Sequence, residues 1–553
     1  MSSTYERLTI TDGTLHIDGL SLKAGSRQLI HNSELVLAVG HRYGIVGRNG
    51  LGKSSLLHAI YPHLQSSKTT LLISQSLTTQ TDCDVDDTIV NVVLRANEER
   101  YALQQDLRTA ESILDTDTAS ERALARYNEI HAKLRAIGAD RAEADVKRTL
   151  HGLGFTDLNR PFNEFSGGWK RRVLLARALY LEPEILLADE ITNDLDLAAV
   201  SWLAEHLATK WKGTLIVVSH NIAFMNTVCT DIIAFERAPI PLPVKDLTDF
   251  QKPAFVTGCK LQTYKGNYTR YKNAIDKSYP ATVKSWATLE KQYSELRKNN
   301  KSKEATALLQ KRAAEGILRP EKDKHISVAF QSLAAITSSA LCELTNVSLT
   351  YASTDTTTIT DINLRINADA RITIVGANGT GKSTLLRAII GDPEINVSKG
   401  IITKNGALKI HYYNQSTVDT LPPDHTAIQY LREIYNVAES TVRRVLGCIG
   451  LEGKTHTIPI RELSGGQRVR VALAGFQLAP AHLLIFDEIT NHLDIDAIEA
   501  VIAAVNEFEG AVIIVSHDAQ LITDTKCTIW LTADGTVREY TGDITELNSE
   551  TDL

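Results

Sequence analysis

The feature that most constrains this 553-residue chain is a glycine-rich loop that occurs twice, each time between a strand-like run and a helix-like one. The second copy, Gly376, Ala377, Asn378, Gly379, Thr380, Gly381, Lys382, Ser383 and Thr384, follows the apolar run 371–375 and leads into 385–390. The first copy, Gly47, Arg48, Asn49, Gly50, Leu51, Gly52, Lys53, Ser54 and Ser55, follows Tyr43 to Val46. In such a loop the glycines let successive backbone N–H groups turn inward around phosphate oxygens. The lysine supplies a point charge to the β- and γ-phosphates, and the following serine can hold Mg²⁺. A chance glycine-rich turn does not recur with the same neighbours, so phosphate binding is built into the chain twice.

The duplication also decides how the length is divided, favouring two large units with insertions over three or four small ones. No run of about 18 apolar residues is present to span a bilayer. Cys83, Cys229, Cys259, Cys342, Cys448 and Cys527 are scattered without C-x-x-C spacing, which points away from a zinc site, an iron–sulfur cluster or a disulfide framework and toward a reducing compartment. The first residues show neither an apolar signal core nor an arginine-rich amphipathic pattern, so a cytoplasmic protein is expected.

Further elements recur in the same order in both halves. An apolar run ends at Gln75, and its counterpart ends at Gln415, where the amide could join a Mg²⁺ shell. Next comes a glycine pair opening a long helix, Ser166-Gly167-Gly168 and then Ser464-Gly465-Gly466-Gln467, a second anion site made of helix N-terminal N–H groups and a serine hydroxyl. An apolar strand then ends in adjacent carboxylates, Asp189-Glu190 and Asp487-Glu488. The aspartate suits a Mg²⁺ water shell and the glutamate suits polarising an attacking water. A last apolar strand delivers His220 in the first half and His517 in the second. A lone histidine at a strand end is usually structural, but after these elements it is expected to face the γ-phosphate.

These pieces in this order resemble the ATP-binding-cassette ATPases: Walker A, Q-loop, signature, Walker B with its glutamate, a D-loop (Asn193 to Asp196 and Asn491 to Asp494) and a switch histidine. Two cassettes in one chain look like the ABC-F family, translation factors that act on ribosomes, and the first signature, Ser-Gly-Gly-Trp169, with the Tyr264 to Tyr268 motif looks like its eukaryotic members. The resemblance implies an α/β fold with two tandem ABC-type P-loop nucleotide-binding domains joined by a helical linker, with a helical arm inserted in the first. It implies an ATPase using ATP and Mg²⁺, monomeric and with no membrane partner. Its cassettes would pack head to tail, so that Lys53 and Ser54 face Ser464 to Gly466 while Lys382 and Ser383 face Ser166 to Gly168. Tyr351 would stack on adenine in the second cassette, whereas the matching place near Ala24 offers no ring. The chain departs from the family at Ile191 and Ile489, which replace the usual proline, at Asp194, which replaces a D-loop histidine, and at Asn221, which replaces the aspartate after the switch histidine.

The divisions expected are a first cassette at 1–275, a linker at 276–325, a second cassette at 326–547 and a frayed tail at 548–553. From Walker A lysine to signature serine is 113 residues in the first cassette and 82 in the second, while signature serine to Walker B aspartate is 23 in both. Extra residues therefore lie between Gln75 and Ser166, and 97–148 reads as two antiparallel helices, either a solvated insertion or the family's arm toward the ribosomal E site. Residues 237–263, with three prolines in five residues, read as a surface excursion that no central strand would accept. From Arg270 to His325 there are 14 Lys and Arg against 7 Asp and Glu, a net +7 in a molecule of −7. Such a run is either a solvated face or, as in the family's linker, a contact for ribosomal or transfer RNA, with Arg297, Lys298, Lys301, Lys303, Lys311 and Arg312 as the candidates. Two other roles share the motifs, an ATPase subunit of a transporter and a ribosome-biogenesis or translation-control scaffold. The chain shows no long N-terminal extension of the kind some eukaryotic relatives use to bind partners, which makes the scaffold the less expected of the family's roles.

Overall fold

The structure is a computed structural model and describes residues 2–542 apart from 5–6, 12–13, 26, 66–68, 75–86, 117–120, 242–254, 300, 316–325, 335, 337–339, 353–356 and 492. Gln75 and the tail 548–553 lie outside the described residues.

Each half is built on a parallel sheet with the same strand order. In the first half Thr70–Ile73, Ile185–Asp189, Thr214–Val218, Arg42–Val46 and Asp231–Pro241 run side by side, all parallel. In the second, Ile410–Tyr413, Leu483–Asp487, Ala511–Val515, Arg371–Val375 and Thr528–Ala533 repeat that order, with Thr536–Tyr540 antiparallel at the edge. Ile185–Asp189, Thr214–Val218, Leu483–Asp487 and Ala511–Val515 are buried at every position. Runs such as Ile-Leu-Leu-Ala are therefore continuously apolar rather than alternating. This topology sends the C-terminal ends of the parallel strands to one edge, where the Walker A and B loops, D-loops and switch histidines collect.

Each half also carries an antiparallel sheet portion. Thr14–Ala24 pairs with Arg27–Leu37 in the first half, and Cys342–Tyr351 sits between Thr357–Ile366 and Ile395–Lys404 in the second. Residues 97–148 are not two helices but parts of three: Glu98–Thr116, Glu121–Ala136 and Ala139–Gly152. The first two pack on each other through Ala110, Ile130 and Leu134. The third turns Ala142, Val146 and Leu150 into the cassette core, so only the first pair is a projecting arm.

The proline-rich stretch is also corrected. Asp231–Pro241 and Phe255–Lys265 form one antiparallel ribbon in which Pro239 faces Thr257 and Pro241 faces Phe255. It corresponds to the tightly turned pair Thr528–Ala533 and Thr536–Tyr540 of the second half. Prolines are accepted because pairing with Arg42–Val46 stops at Ala234. Beyond that point one side of the strand has no ladder there to break, which is the edge condition proline requires. The tip, 242–254, lies outside the described residues.

Past Tyr264 the chain enters Tyr268–Lys298, a helix that starts eight residues before the expected boundary at 276, capped by the Asn267 side chain on the Arg270 N–H. It doubles back as Ser302–Glu315. The hairpin is held by Trp286, Tyr293 and Ala305 with Leu289, Leu296 and Leu308 around them. Residues 316–325 of the expected linker lie outside the described residues.

Candidate functional site

The two glycine loops have the same internal wiring. Gly52 and Gly381 both take φ of 97°, a left-handed conformation that lets the chain turn from loop into helix and that a side chain would resist. Lys53 Nζ donates to Gly47 O at 2.6 Å and Asn49 Oδ1 at 3.2 Å, and Lys382 Nζ donates to Gly376 O at 2.7 Å and Asn378 Oδ1 at 3.4 Å. Each ammonium is thus folded back over its own loop, buried to 7% exposure. Burial lowers both lysine pKa values, and the carboxylates of Glu190 and Glu488 oppose that shift.

Walker B completes each centre. Burial raises the Asp189 and Asp487 carboxyls, while hydroxyl donors, Ser54 and Ser383 respectively, and the loop lysines pull them down. Asp189 Oδ1 is buried with no hydrogen-bond partner among the described residues. A hard oxygen pair of serine hydroxyl and aspartate, one of its carboxylates carrying an unused oxygen, fits Mg²⁺. Gln415, expected to close its strand, instead opens the short helix Gln415–Asp419 after the Asn414 cap, since the strand ends at Tyr413. Its side chain lies outside what is described. Tyr412, not singled out from sequence, donates to Asp487 Oδ2 at 3.2 Å.

Glu190 and Glu488 follow at φ of 54° and 58°. Their N–H groups donate to Val218 O and Val515 O, each at 2.9 Å, which pins the turn to the neighbouring strand. Ile191 and Ile489, standing where the family has proline, are buried in the cores beneath these turns and hold them by packing. Burial pushes both glutamic acids up to about 8. His220 Nε2 lies 3.2 Å from Glu190 Oε1 and from Asn49 Oδ1, and His517 Nε2 lies 3.1 Å from Glu488 Oε1 and 3.2 Å from Asn378 Oδ1. Burial holds the His517 pKa well below its ordinary value, so the ring is neutral beside Lys382.

The halves meet head to tail. Asn49 N donates to Asp494 Oδ2 at 3.1 Å and Arg48 Nε lies 3.3 Å from Asp496 Oδ2, while Asn378 N donates to Asp196 Oδ2 at 3.4 Å. Each D-loop aspartate also caps its own helix, accepting from Ala199 N or Ala497 N. It pairs as well with a buried arginine of its signature helix, Arg172 at 3.6 Å or Arg470 at 2.6 Å. Sequence reasoning missed these arginines, although their signal was present: each lies six residues after its signature serine. A cavity of about 720 Å³ opens between the cassettes, lined on one wall by Ser166, Gly167, Gly168 and Asp194 and on the other by Asn378, Gly379, Ser383, Asp487, Glu488 and His517. Ser383 thus lies across the cavity from the first signature, as expected.

Tyr351 stands at the end of its strand with its hydroxyl 2.9 Å from Thr384 Oγ1, beside the loop. The signature serines differ. Ser464 and Gln467 cap each other reciprocally, whereas Ser166 makes no side-chain cap, Trp169 standing where Gln467 stands. Of the RNA candidates, Arg297, Lys298, Lys301 and Lys303 are exposed along the hairpin, Lys301 paired with Glu304 at 3.1 Å. The side chains of Lys311 and Arg312 lie outside what is described.

Two parallel sheets carrying Walker A, Walker B and signature elements that face one another across a shared cavity define a twin ATP-binding-cassette ATPase. The family model described as ABC transporter matches residues 30–193 and 359–491. The chain is 35% identical over 552 residues to the ATP-binding cassette sub-family F member 2 of Bos taurus, covering 96% of this chain and 82% of that one. It is 33% identical to Protein GCN20 of Saccharomyces cerevisiae, covering 96% and 71%. Among solved structures, the archaeal ribosome recycling factor aABCE1, crystallised with the ribosomal stalk protein aP1, superposes with a TM-score of 0.58 at 17% identity over 94% of this chain and 90% of that one. The chain belongs to the ABC-F family, and it is an ATPase. Among the described residues no helix is long and apolar enough to cross a membrane.

Proposed function

We propose that this protein is an ATP-driven clamp that acts on the ribosome in the cytoplasm, closing on two ATP molecules and releasing after hydrolysis. The observation that carries the reading is the cavity of about 720 Å³ bounded by one cassette's Walker A and B groups and the other's signature. A nucleotide held there touches both halves, so its phosphates favour the closed form, and their loss on hydrolysis removes the bridge. Lys53 and Lys382 contact the phosphates, Ser54 with Asp189 and Ser383 with Asp487 hold Mg²⁺, and Glu190 and Glu488 orient the attacking water. The bound cation would neutralise charge on the transferring phosphoryl group. His220 and His517, anchored on Asn49 and Asn378, sense the γ-phosphate from the strand end.

The ribosomal partner rests on membership of the ABC-F family together with the basic helical hairpin, whose net charge suits RNA. Its position after the first cassette favours a reach toward transfer RNA, and the arm 98–136 favours the E-site side. The chain would act as a monomer, since the composite cavity is completed within it. The test is sedimentation on a density gradient. With a non-hydrolysable ATP analogue the protein should travel with mature ribosomes, and with ADP it should stay at the top. Co-migration with precursor subunits alone would move it to ribosome biogenesis, and equal distribution with both nucleotides would overturn the clamp.

A further inference from the structure

The two halves of the chain differ at two positions that meet in space. Five residues after the signature serine the first cassette has Arg171 where the second has Val469, and in the D-loop it has Asp194 where the second has His492. Arg171 Nη1 lies 2.9 Å from Asp194 Oδ2, with both side chains about one-third exposed. Both residues line the cavity between the cassettes. Asp194 takes a left-handed backbone at φ 67°, a conformation that costs free energy and persists only where the surroundings enforce it. Its carbonyl bridges the two cassettes. The oxygen accepts from Arg172 Nε at 2.9 Å and from Arg172 Nη2, and across the interface it accepts from Asn378 Nδ2 at 3.2 Å. Asn378 Oδ1 in turn meets His517 Nε2 at 3.2 Å and Lys382 Nζ at 3.4 Å, and His517 stands 3.1 Å from Glu488. An unbroken set of contacts thus runs from the first signature helix to the catalytic groups of the second cassette.

We infer that Arg171 and Asp194 are a positioning pair that holds the D-loop carbonyl on Asn378 and so slows release of ATP from the site of the second Walker A. The ion pair fixes the one backbone conformation that presents the carbonyl, and Gly168 gives it room, since a methyl there would already stand 3.4 Å from Asp194. In the other D-loop the sequence places neither charge, Val469 being apolar and buried. The inference rests on the reading that ATP occupies this cavity.

The test uses the full chain in a Glu190→Gln/Glu488→Gln background, loaded with radiolabelled ATP and followed as label is released into excess unlabelled ATP. The parent should retain two ATP per chain, released in two phases. Arg171→Met and Asp194→Asn should each accelerate the same one of the two phases, by about fivefold, the scale of a partly exposed ion pair, and leave the other unchanged. The double variant should do no more than either single one, Arg171→Lys should behave as the parent, and added salt should narrow the difference. A pair that matters only for folding would speed both phases together, and that result, or no change in either, would overturn the inference while leaving the ATP sites standing. A parent that retains no ATP would overturn the site assignment itself and the pair's role with it.

Discussion

Glu190 and Glu488 are at once strained and desolvated, each at positive φ after a buried strand, with burial pushing the carboxyl up to about 8. A group with that proton affinity is mostly protonated at neutral pH and gains its charge as pH rises. ATP hydrolysis should therefore climb between about pH 7 and 9, with its midpoint near 8, and then level, because only the carboxylate can polarise water. The sign follows from the direction of the shift: an unburied glutamate would be fully ionised throughout and give a flat profile. Glu190→Gln with Glu488→Gln keeps the shape and removes the charge, so the double variant should bind ATP, lose hydrolysis and accumulate on ribosomes. Turnover at the wild-type rate would show that neither carboxylate is the base. A second residue-scale difference is Tyr351, whose ring stands beside the second loop with its hydroxyl on Thr384, whereas Ala24 lies at the matching place in the first cassette. Tyr351→Ala should weaken nucleotide affinity by about 0.5–1.5 kcal/mol through the missing ring stack, and Tyr351→Phe should keep most of it. Titration calorimetry would show this as a change in one class of site only, and two equally weakened sites would count against it.

Helix capping separates two signature motifs that share Ser-Gly-Gly. Ser464 Oγ accepts from Gln467 N at 3.3 Å while Gln467 Oε1 accepts from Ser464 N at 3.0 Å, whereas Trp169 cannot return such a bond to Ser166. Ser464→Ala should therefore lower stability by about 1 kcal/mol. Ser166→Ala should leave stability nearly unchanged and weaken ATP retention instead, because that hydroxyl is committed to the cavity wall. Denaturant titration beside nucleotide release separates the two, and equal stability losses would refute the distinction. At this scale much was legible in the sequence. Strand-and-helix context marked both loops, and equal spacing from signature serine to Walker B aspartate located the extra helices. What misled was local rules applied without their neighbours. Prolines at 239 and 241 argue against a central strand, but only the tertiary pairing shows that the strand has left its neighbour by then. The break after Thr116 was marked by aspartates and threonines, while the second break, at 137–138, carried only one glycine, so three helices read as two. The signature-helix arginines were invisible for another reason: their partners, Asp194 O, Asp196 and Asp494, are brought to them by the fold, 22 to 24 residues away.

Across the whole molecule charge is segregated: the stretch from Arg270 to His325 carries +7 and the remainder −14. The hairpin that carries this charge is built independently of the nucleotide sites. Its own apolar seam is Trp286, Tyr293 and Ala305; Lys298, Lys301 and Lys303 are exposed, while Arg297 donates from Nε to the Tyr293 hydroxyl at 3.1 Å. Its base is nevertheless fixed to both cassettes, since Tyr268 packs in the first-cassette core with Ile495 of the second, and Lys272 lies 3.8 Å from Glu499. Closure of the cassettes therefore moves the base of the hairpin, and RNA bound at its tip would favour the cassette geometry that fits it. Replacing Lys298, Lys301 and Lys303 with glutamate should weaken ribosome binding and flatten the dependence of log affinity on log salt by about two units, at about 0.7–0.9 for each phosphate no longer neutralised. ATPase activity of the free protein should stay at the wild-type level, because no nucleotide group touches these side chains. Lys301 alone should contribute least, its charge being partly answered by Glu304 at 3.1 Å. Pelleting with ribosomes from low to moderate salt measures both affinity and slope. A hairpin that is only a solvated spacer leaves both unchanged, and that result would transfer the RNA contact to the arm formed by Glu98–Thr116 and Glu121–Ala136.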